Sequence, residues 1–312
     1  MSGLLVYSER KSVALELLSF ASGQPQAAAV ALLGEAAAWA VDCFAHGAQK
    51  AYVGNDPALD GLQPDVVSQA LAQIVDQAQA QVVLVGSTLR GREVAGRLAQ
   101  KLGAGCVTDA NGLRWEEGRI VTTRYALGGH TVSTEVLGPV RQVIAVMPQT
   151  LTAAPTGSGE GEVVEVALAL SPSPVAVVER RPKEAGSVDV ESAEVLVCVG
   201  RGLDDAKDLE MVQALAEALG GVVGCTRPVS HDLHWLPESQ MVGISGKSAS
   251  PRLYVGVGLS GQIQHTVAVT GARIAVAINE DRNAPIFEMA DYGVVGDLYQ
   301  VVPRLTARLR AR

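Results

Sequence analysis

The sequence predicts an α/β protein of two domains, each a mainly parallel sheet flanked by helices, the first with an antiparallel β extension. Three observations carry this. Short apolar runs alternate with longer amphipathic ones. The apolar runs are continuous, as strands buried on both faces require. After residue 105 the pattern turns β-like, with polar and apolar residues alternating at period two.

In chain order, residues 4–7, 28–33, 50–53 and 82–85 read as strands, and 12–21, 35–46, 64–78 and 92–102 as helices. Pro64 suits a first helical turn and Gly103 a helix stop. From 106 to 147 the chain reads as β structure. Within it, 113–121 resembles a hairpin turning near Glu117 and Gly118, and 131–137 alternates. A stretch rich in Gly, Pro and Ser covers 150–161, and short strands are expected at 163–170 and 175–178. The charged, proline-bearing run 180–189 has nothing apolar to bury and reads as a linker, which places the domains at 1–186 and 187–312. The second domain starts with a strand at 195–199 and a turn, Gly200-Arg201-Gly202. A helix over 206–219 and strands at 222–225, 253–258, 274–278 and 292–295 follow. The tail from 298 to 310 reads as a helix with a basic end, which suits a helix C-terminus.

Composition narrows the function. With 312 residues the chain has room for a sizeable core. Lys plus Arg number 25 against 33 Asp plus Glu, a net charge of −8, with no basic block, so nucleic acid and anionic membranes are poor partners. No apolar run is long enough to span a bilayer. The N-terminal MSGLLVYSERKS lacks the apolar core of a signal peptide. Cys43, Cys106, Cys198 and Cys225 form no C-x-x-C pair and read as reduced, mostly buried thiols. The expected location is the cytoplasm.

The densest stretch runs from Val242 to Asp297. Gly256-Val-Gly258-Leu-Ser-Gly261 follows an apolar run at 253–257 and precedes 262–269, which reads as a helix start. That is the setting of a phosphate-binding loop, where glycines allow close backbone approach and a helix N-terminus offers free N–H groups. In a chain with 33 glycines the motif alone is weak, and a plain packing turn explains it equally well. The polar company strengthens it: Ser245, Lys247, Ser248, Ser260, Gln262, Gln264, His265, Asn279 and Asp297 all fall near expected strand ends, where open α/β sheets bind ligands. Other constellations fail. His231, Asp232 and His234 are too few for a metal site and read as a surface loop; Glu116 and Glu117 form a hairpin tip. No G-x-x-x-x-G-K-[ST] run or G-x-S-x-G elbow is present.

Six linked motifs stand in the order and spacing of the alpha subunits of electron-transfer flavoproteins: VGRGL at 199–203, CTRPV at 225–229, VGISGK at 242–247, SPRLYVGVGLSGQIQH at 250–265, AVAIN at 275–279 and APIFEMADYGVVGDL at 284–298. The second domain resembles that family throughout; the first resembles it in architecture and scattered residues. The forms VGISG and SGQIQH are closer to the nitrogen-fixation and carnitine-associated bacterial branch. The resemblance implies a heterodimer with a beta subunit and one FAD held mainly by the second domain. It implies electron transfer from dehydrogenases to a quinone reductase or other redox acceptor, with no nucleic acid and no membrane insertion. It places Arg201 beside the flavin, and Thr226 and Arg227 at the next strand end, the arginine facing the isoalloxazine. Val242, Gly243, Ile244 and Ser245 form the following turn, with the Ser245 hydroxyl toward flavin N5. Ser260, Gly261, Gln262, Ile263, Gln264 and His265 bind the pyrophosphate and reach the flavin, with His265 near its C2 carbonyl. Asn279, Asp297 and Leu298 hold the adenosine end. The chain departs from the family twice. The loop 227–242 is one residue longer than in mitochondrial-type members, and Ser245 stands for threonine, keeping the hydroxyl and losing a methyl.

From the residues alone, each role has a plainer competitor. Positive charge near N1 and C2 favours reduced, anionic flavin, which makes Arg227 and His265 the candidates; the alternatives are a surface arginine and a helix-facing histidine satisfied by backbone. Ser245 in its glycine-flanked turn also reads as an ordinary turn serine. Asn279 and Asp297 end strands and also read as caps. Residues 281–283 read as a solvated turn, and Lys247 is uncommitted between a phosphate and a surface charge. The glycines at 258 and 261 are expected to reject any side chain, because a Cβ would block the approach to a pyrophosphate or a positive φ. Two further functions fit G-x-G-x-x-G: an NAD-dependent dehydrogenase, against which stand the motif's position deep in the second domain and the missing acid/base set, and a non-catalytic nucleotide-binding scaffold.

Overall fold

The computed structural model describes residues 3–61, 63–117, 119–138, 140–157, 159–179 and 188–311. It divides into two compact units, one of Met1–Arg124 with Val132–Arg181 and one of Tyr125–Thr131 with Pro182–Arg312. Most of the expected linker, 180–187, lies outside the described residues.

The first unit contains β1 (Gly3–Tyr7), α1 (Lys11–Ser22), β2 (Ala28–Leu33), α2 (Ala40–Ala45), β3 (Lys50–Gly54), α3 (Pro64–Ala78), β4 (Ala80–Gly86) and α4 (Leu89–Leu102). Then come β5 (Gly105–Ala110), β6 (Gly112–Glu116), β7 (Arg119–Ala126), β8 (Thr131–Val136), β9 (Gln142–Val146) and β10 (Glu162–Val166). Seven strands form one sheet in the order β10-β3-β2-β1-β4-β9-β5, every registered pairing parallel. The continuous apolar runs are explained by two cores. In β1, Leu5 and Tyr7 face α3 and α4, while Leu4 and Val6 face the α1 side. α4 begins where the Thr88 hydroxyl accepts from the Gly91 N–H at 2.9 Å, and it stops at Gly103 in the left-handed region.

Four expectations change. The β structure after residue 105 is not one antiparallel block. β5 and β9 join the parallel sheet, because their buried residues need cover on both faces, while β6, β7 and β8 make a separate three-stranded sheet with β6 and β7 antiparallel. The helix expected over 35–46 starts as a 3₁₀ turn, Gly34–Trp39, which fully buries no residue and meets the core only through the partly buried Ala36 and Trp39. The strand expected at 163–170 ends at Val166. Beyond it the Ala169 and Ser171 backbones bond to the side-chain amides of Gln73 and Gln69 on α3 instead of to a strand. Residues 175–178 form no strand at all. Their valines face solvent, Val178 at 96% exposure, so no buried face offsets the entropy of ordering.

The second unit carries β11 (Val195–Val199), α5 (Leu209–Ala218), β12 (Val222–Cys225), β13 (Leu253–Val257), α6 (Ile263–Thr266), β14 (Ala275–Asn279), α7 (Ile286–Met289), β15 (Tyr292–Val295) and α8 (Leu298–Arg310). Its five parallel strands run β12-β11-β13-β14-β15. A 3₁₀ turn, Ala206–Asp208, capped by Asp205, precedes α5. The tip of the β7–β8 hairpin belongs to this unit, with Gly129 against Ile263 and Val267. The helix expected over 262–269 is only the single turn α6. One turn sums too few peptide dipoles to present a charged N-terminus.

β11 leads through α5 to β12 on one side, and β13 leads through α6 to β14 on the other. A crevice opens where connections diverge from adjacent parallel strands. Its floor is backbone against backbone. The Gly200 N–H donates to Val257 O at 3.0 Å and the Gly202 N–H to Gly258 O at 2.8 Å. A Cβ on Gly202 would stand 2.7 Å from Gly258 Cα. Gly258 and Gly261 both take positive φ, +58° and +78°, which meets the conformational half of the expectation. A Cβ on Gly261 would also meet Ile286 N at 2.3 Å and its Cα at 2.4 Å, so this glycine admits the α7 backbone as well as bordering the crevice.

Two outcomes follow. Gly261→Val should cost roughly 2–5 kcal/mol of stability from overlap and backbone strain together, read as a fall in thermal midpoint; an unchanged midpoint would show that the glycine serves only the crevice. The second outcome concerns Glu16 on α1, whose Oε2 accepts the Gln149 N–H at 2.8 Å. Burial pushes its carboxyl up to about 7, against the lowering effect of backbone N–H bonds from Gln149 and Leu151. The folded state therefore holds this proton more tightly than the unfolded chain. The stability it contributes is full below the ordinary value of 4.5 and is lost as pH rises through about 7. Glu16→Gln should remove that slope in urea titrations at several pH values, and an identical slope in the variant would exclude Glu16 as its source.

Candidate cofactor site

The crevice of the second unit is a cleft of about 780 Å³, within the range of small-molecule sites. Each wall comes from the C-terminal end of a strand. Arg201 follows β11. Thr226 and Arg227 follow β12, where the Thr226 N–H is held by Val199 O at 3.0 Å. Ser260, Gly261 and Gln262 follow β13, and Asn279 ends β14.

The remaining wall is a tight loop over 241–247. Val242 N donates to Cys225 O at 2.9 Å, Lys247 N to Met241 O at 2.7 Å and Gly246 N to Gly243 O at 2.9 Å. These bonds leave Ile244 and Ser245 exposed at the apex, while Ile244 N ties the loop to Gln264 O at 2.8 Å. Val242, Gly243, Ile244, Ser245, Gln264 and His265 all line the cleft.

The structure thus brings thirteen of the sixteen residues singled out in sequence into one cavity. Ile263 is not among its lining; it lies half-buried in α6. Asp297 and Leu298 line a neighbouring, more polar hollow of about 300 Å³, to which Asn279 and Gly258 also contribute. Tyr299 borders that hollow, its hydroxyl donating to Asp208 Oδ2 at 2.7 Å and accepting from Asp204 N at 2.8 Å. Sequence reading missed Met241, Leu259, Ala284 and Pro285 as cleft residues. Their only signal was adjacency to the motifs, since apolar residues at strand ends look like core.

The polar groups divide by whether their bonding capacity is spent. The backbone N–H groups of Ser260, Gly261 and Gln262 donate to no protein acceptor among the described residues. The side chains of Ser245, Ser260, Gln262 and Gln264 also make no hydrogen bond there, and neither Arg201 nor Arg227 forms an ion pair. Asn279 is partly engaged: one amide N–H donates to Leu259 O and its carbonyl accepts from Asp281 N. Asp297 caps α8 through the Tyr299 N–H at 2.8 Å. Lys247 lies 3.7 Å from Glu191.

His265 differs from the expectation of a positive charge. It is 6% exposed, with Nδ1 3.0 Å from Val242 O and Nε2 2.7 Å from the Tyr254 hydroxyl. Burial pulls its pKa below the ordinary histidine value, outweighing the Val242 bond, so the ring is neutral at pH 7. In the other histidine-bearing loop His231 stands 3.8 Å from Glu238, and His231, Asp232 and His234 are exposed.

Comparison with known proteins agrees with this geometry. Residues 189–270 match the family model described as the electron transfer flavoprotein FAD-binding domain, and residues 7–171 match the electron transfer flavoprotein domain. The chain is 37% identical to the electron transfer flavoprotein subunit alpha of Mycobacterium tuberculosis (strain CDC 1551 / Oshkosh), over 97% of this chain and 95% of the relative. It is 36% identical to the subunit of the same name from Mycobacterium leprae (strain TN), again over 97% and 95%. It is 32% identical to Protein FixB of Salmonella typhimurium (strain LT2), over 99% and 98%. The chain therefore belongs to the electron transfer flavoprotein alpha-subunit family, and its second unit carries that family's FAD-binding domain.

Proposed function

We propose that this chain is the FAD-carrying subunit of a heterodimeric electron carrier, which with a beta subunit accepts electrons from dehydrogenases and passes them to a quinone reductase or another redox protein. One observation supports it above others: a cleft at the topological switch point whose bonding capacity is unspent where an anionic, hydrogen-bonding cofactor needs it.

The residues suit FAD. The three free N–H groups at 260–262 are donors for a pyrophosphate, and their supply comes from loop backbone, not from a helix dipole. Arg201 and Arg227 bring two uncompensated positive charges into the cleft. Ser245 offers a hydroxyl at the apex of its loop, and Met241, Leu259 and Pro285 offer apolar contact for a ring system. Asp297 and Leu298 border a hollow of the size of a smaller group, and the adenosine end is assigned there. When bound, FAD supplies one- and two-electron chemistry that protein side chains lack.

The first unit is assigned to docking of the beta subunit. The exposed valines Val132 and Val136 on β8 support this, since exposed apolar residues on a strand favour a partner. Among the described residues no helix is long and apolar enough to cross a membrane. Cys43, Cys198 and Cys225 are buried and unbridged, which favours the cytoplasm. A hydride-transferring NAD-dependent enzyme is disfavoured because the one histidine of the cleft is neutral and engaged on both nitrogens.

Co-expression with the beta subunit should yield a yellow complex with a flavin absorbance band, and the isolated chain should retain less flavin. A stable monomer with full flavin and normal electron transfer would overturn the heterodimer; a colourless protein with NAD affinity would overturn the carrier itself. Arg227→Ala should lower the flavin's midpoint potential, by on the order of 1 kcal/mol after solvent screening, and leave most FAD bound. Spectroelectrochemical titration checks this, and unchanged potentials count against Arg227.

A further inference from the structure

Tyr254 lies on β13 with only 1% of its surface exposed. Two residues along the same face stands Gly256, where a Cβ would lie 3.2 Å from the Tyr254 hydroxyl. The missing side chain lets the phenol lean toward the C-terminal end of the strand. There its oxygen meets His265 Nε2 at 2.7 Å, with the rings 6.0 Å apart and inclined at 46°. On the far side of the imidazole, Nδ1 is 3.0 Å from the Val242 carbonyl.

Proton bookkeeping at these three groups has one consistent solution. A carbonyl only accepts, so Nδ1 carries a proton. If Nε2 carried one too, the phenol would have to accept it and send its own proton elsewhere. Among the described residues its hydroxyl has no second partner. A buried O–H without an acceptor costs about 1–3 kcal/mol. In the neutral ring every donor meets an acceptor: Nδ1–H to Val242 O, and the tyrosine O–H to Nε2. The phenol itself stays protonated, since burial raises its pKa well above the ordinary value, with Cys198 adding to that effect. Cys198 is held protonated by its own burial. The other ionisable groups lining the cleft are Arg201, Arg227 and Asp281.

We infer that Tyr254 is a positioning residue, holding His265 as the neutral Nδ1–H tautomer so that the positive charge of the cleft comes from Arg201 and Arg227 alone. The tautomer is a property of the protein; its bearing on a flavin rests on the function proposed above. His265 then steers the cofactor by shape and by its place beneath the 241–247 loop, through the Val242 bond, and not by charge.

The test uses the full chain, co-expressed with its beta subunit and labelled with ¹⁵N-histidine. His265 is identified among the five histidines by the signal lost in His265→Asn. Long-range ¹H–¹⁵N spectra at pH 7 to 8 should show a proton on Nδ1 and a bare Nε2, and titration to lower pH gives the wild-type midpoint. Tyr254→Phe removes the hydrogen bond that stabilises the neutral ring. Its His265 should titrate with a proton affinity at least tenfold higher, an upward shift of about one pH unit. A wild-type ring protonated on both nitrogens at neutral pH, or on Nε2 only, overturns the inference, as does a folded Tyr254→Phe protein with an unchanged titration. If Tyr254→Phe does not fold, the wild-type tautomer decides. Flavin content measured on the same samples tests the proposed function separately: the predicted tautomer in a protein that binds no FAD would sink that function and leave this inference standing.

Discussion

The second unit is organised around a contact between two strand ends that have no side chains. Gly202 and Gly258 touch through backbone, with an N–H to O distance of 2.8 Å, and a Cβ on either would overlap the other chain segment. This lets the turns after β11 and β13 cross at the point where the sheet connections diverge. The crossing sets the depth of the cleft, and it also sets the path of the segment 260–262, whose N–H groups meet no protein acceptor among the described residues. Bulkier turns would lift that segment off the sheet and fill the crevice. Gly261 extends the arrangement by admitting Ile286, whose N–H bonds to Ser260 O at 3.0 Å and ties the loop to α7.

The cleft's polar groups fall into two sets with different physical roles. Asn279 and His265 are anchored by hydrogen bonds to the protein and so shape the walls, as Asp297 does in the neighbouring hollow. Arg201, Arg227, Ser245 and the 260–262 backbone hold theirs in reserve. Unspent donors next to water cost little, whereas they gain strength when a ligand excludes solvent and lowers the local dielectric. The cleft's histidine is neutral and bonded at both nitrogens, so it stands among the groups that shape the walls.

In the first unit the same alternation of strands and helices is put to another use. Seven parallel strands lie between two hydrophobic cores, while the small β6–β7–β8 sheet places exposed valines on its edge strand. The segment after β10 shows how backbone polar groups are satisfied without a strand partner. Gln69 and Gln73 each donate to and accept from the passing chain, imitating one rung of a ladder with a side-chain amide.

Sequence alone determined the class of the protein. Continuous apolar runs specify strands buried on both faces, and β2, β11 and β12, with the helices α3 and α8, fall at the residues the pattern named; β15 also falls where expected, but its four residues are exposed. The six linked motifs likewise carried the resemblance to the family, and thirteen of the residues that the resemblance implied line one cleft. What sequence could not determine were properties set by neighbours distant in the chain. Periodicity over 262–269 resembled a helix, but only one turn forms there, and the loop 241–247 bonds to its backbone at Gln264. Apolar content at 175–178 resembled a strand, but no partner covers it. That Gly261 also makes room for Ile286 was not legible, because the contact comes from a residue 25 positions along the chain. Tertiary structure alone decided the charge of His265, because a histidine's protonation depends on burial and on what lies against each nitrogen, and here those partners come from residues 242 and 254.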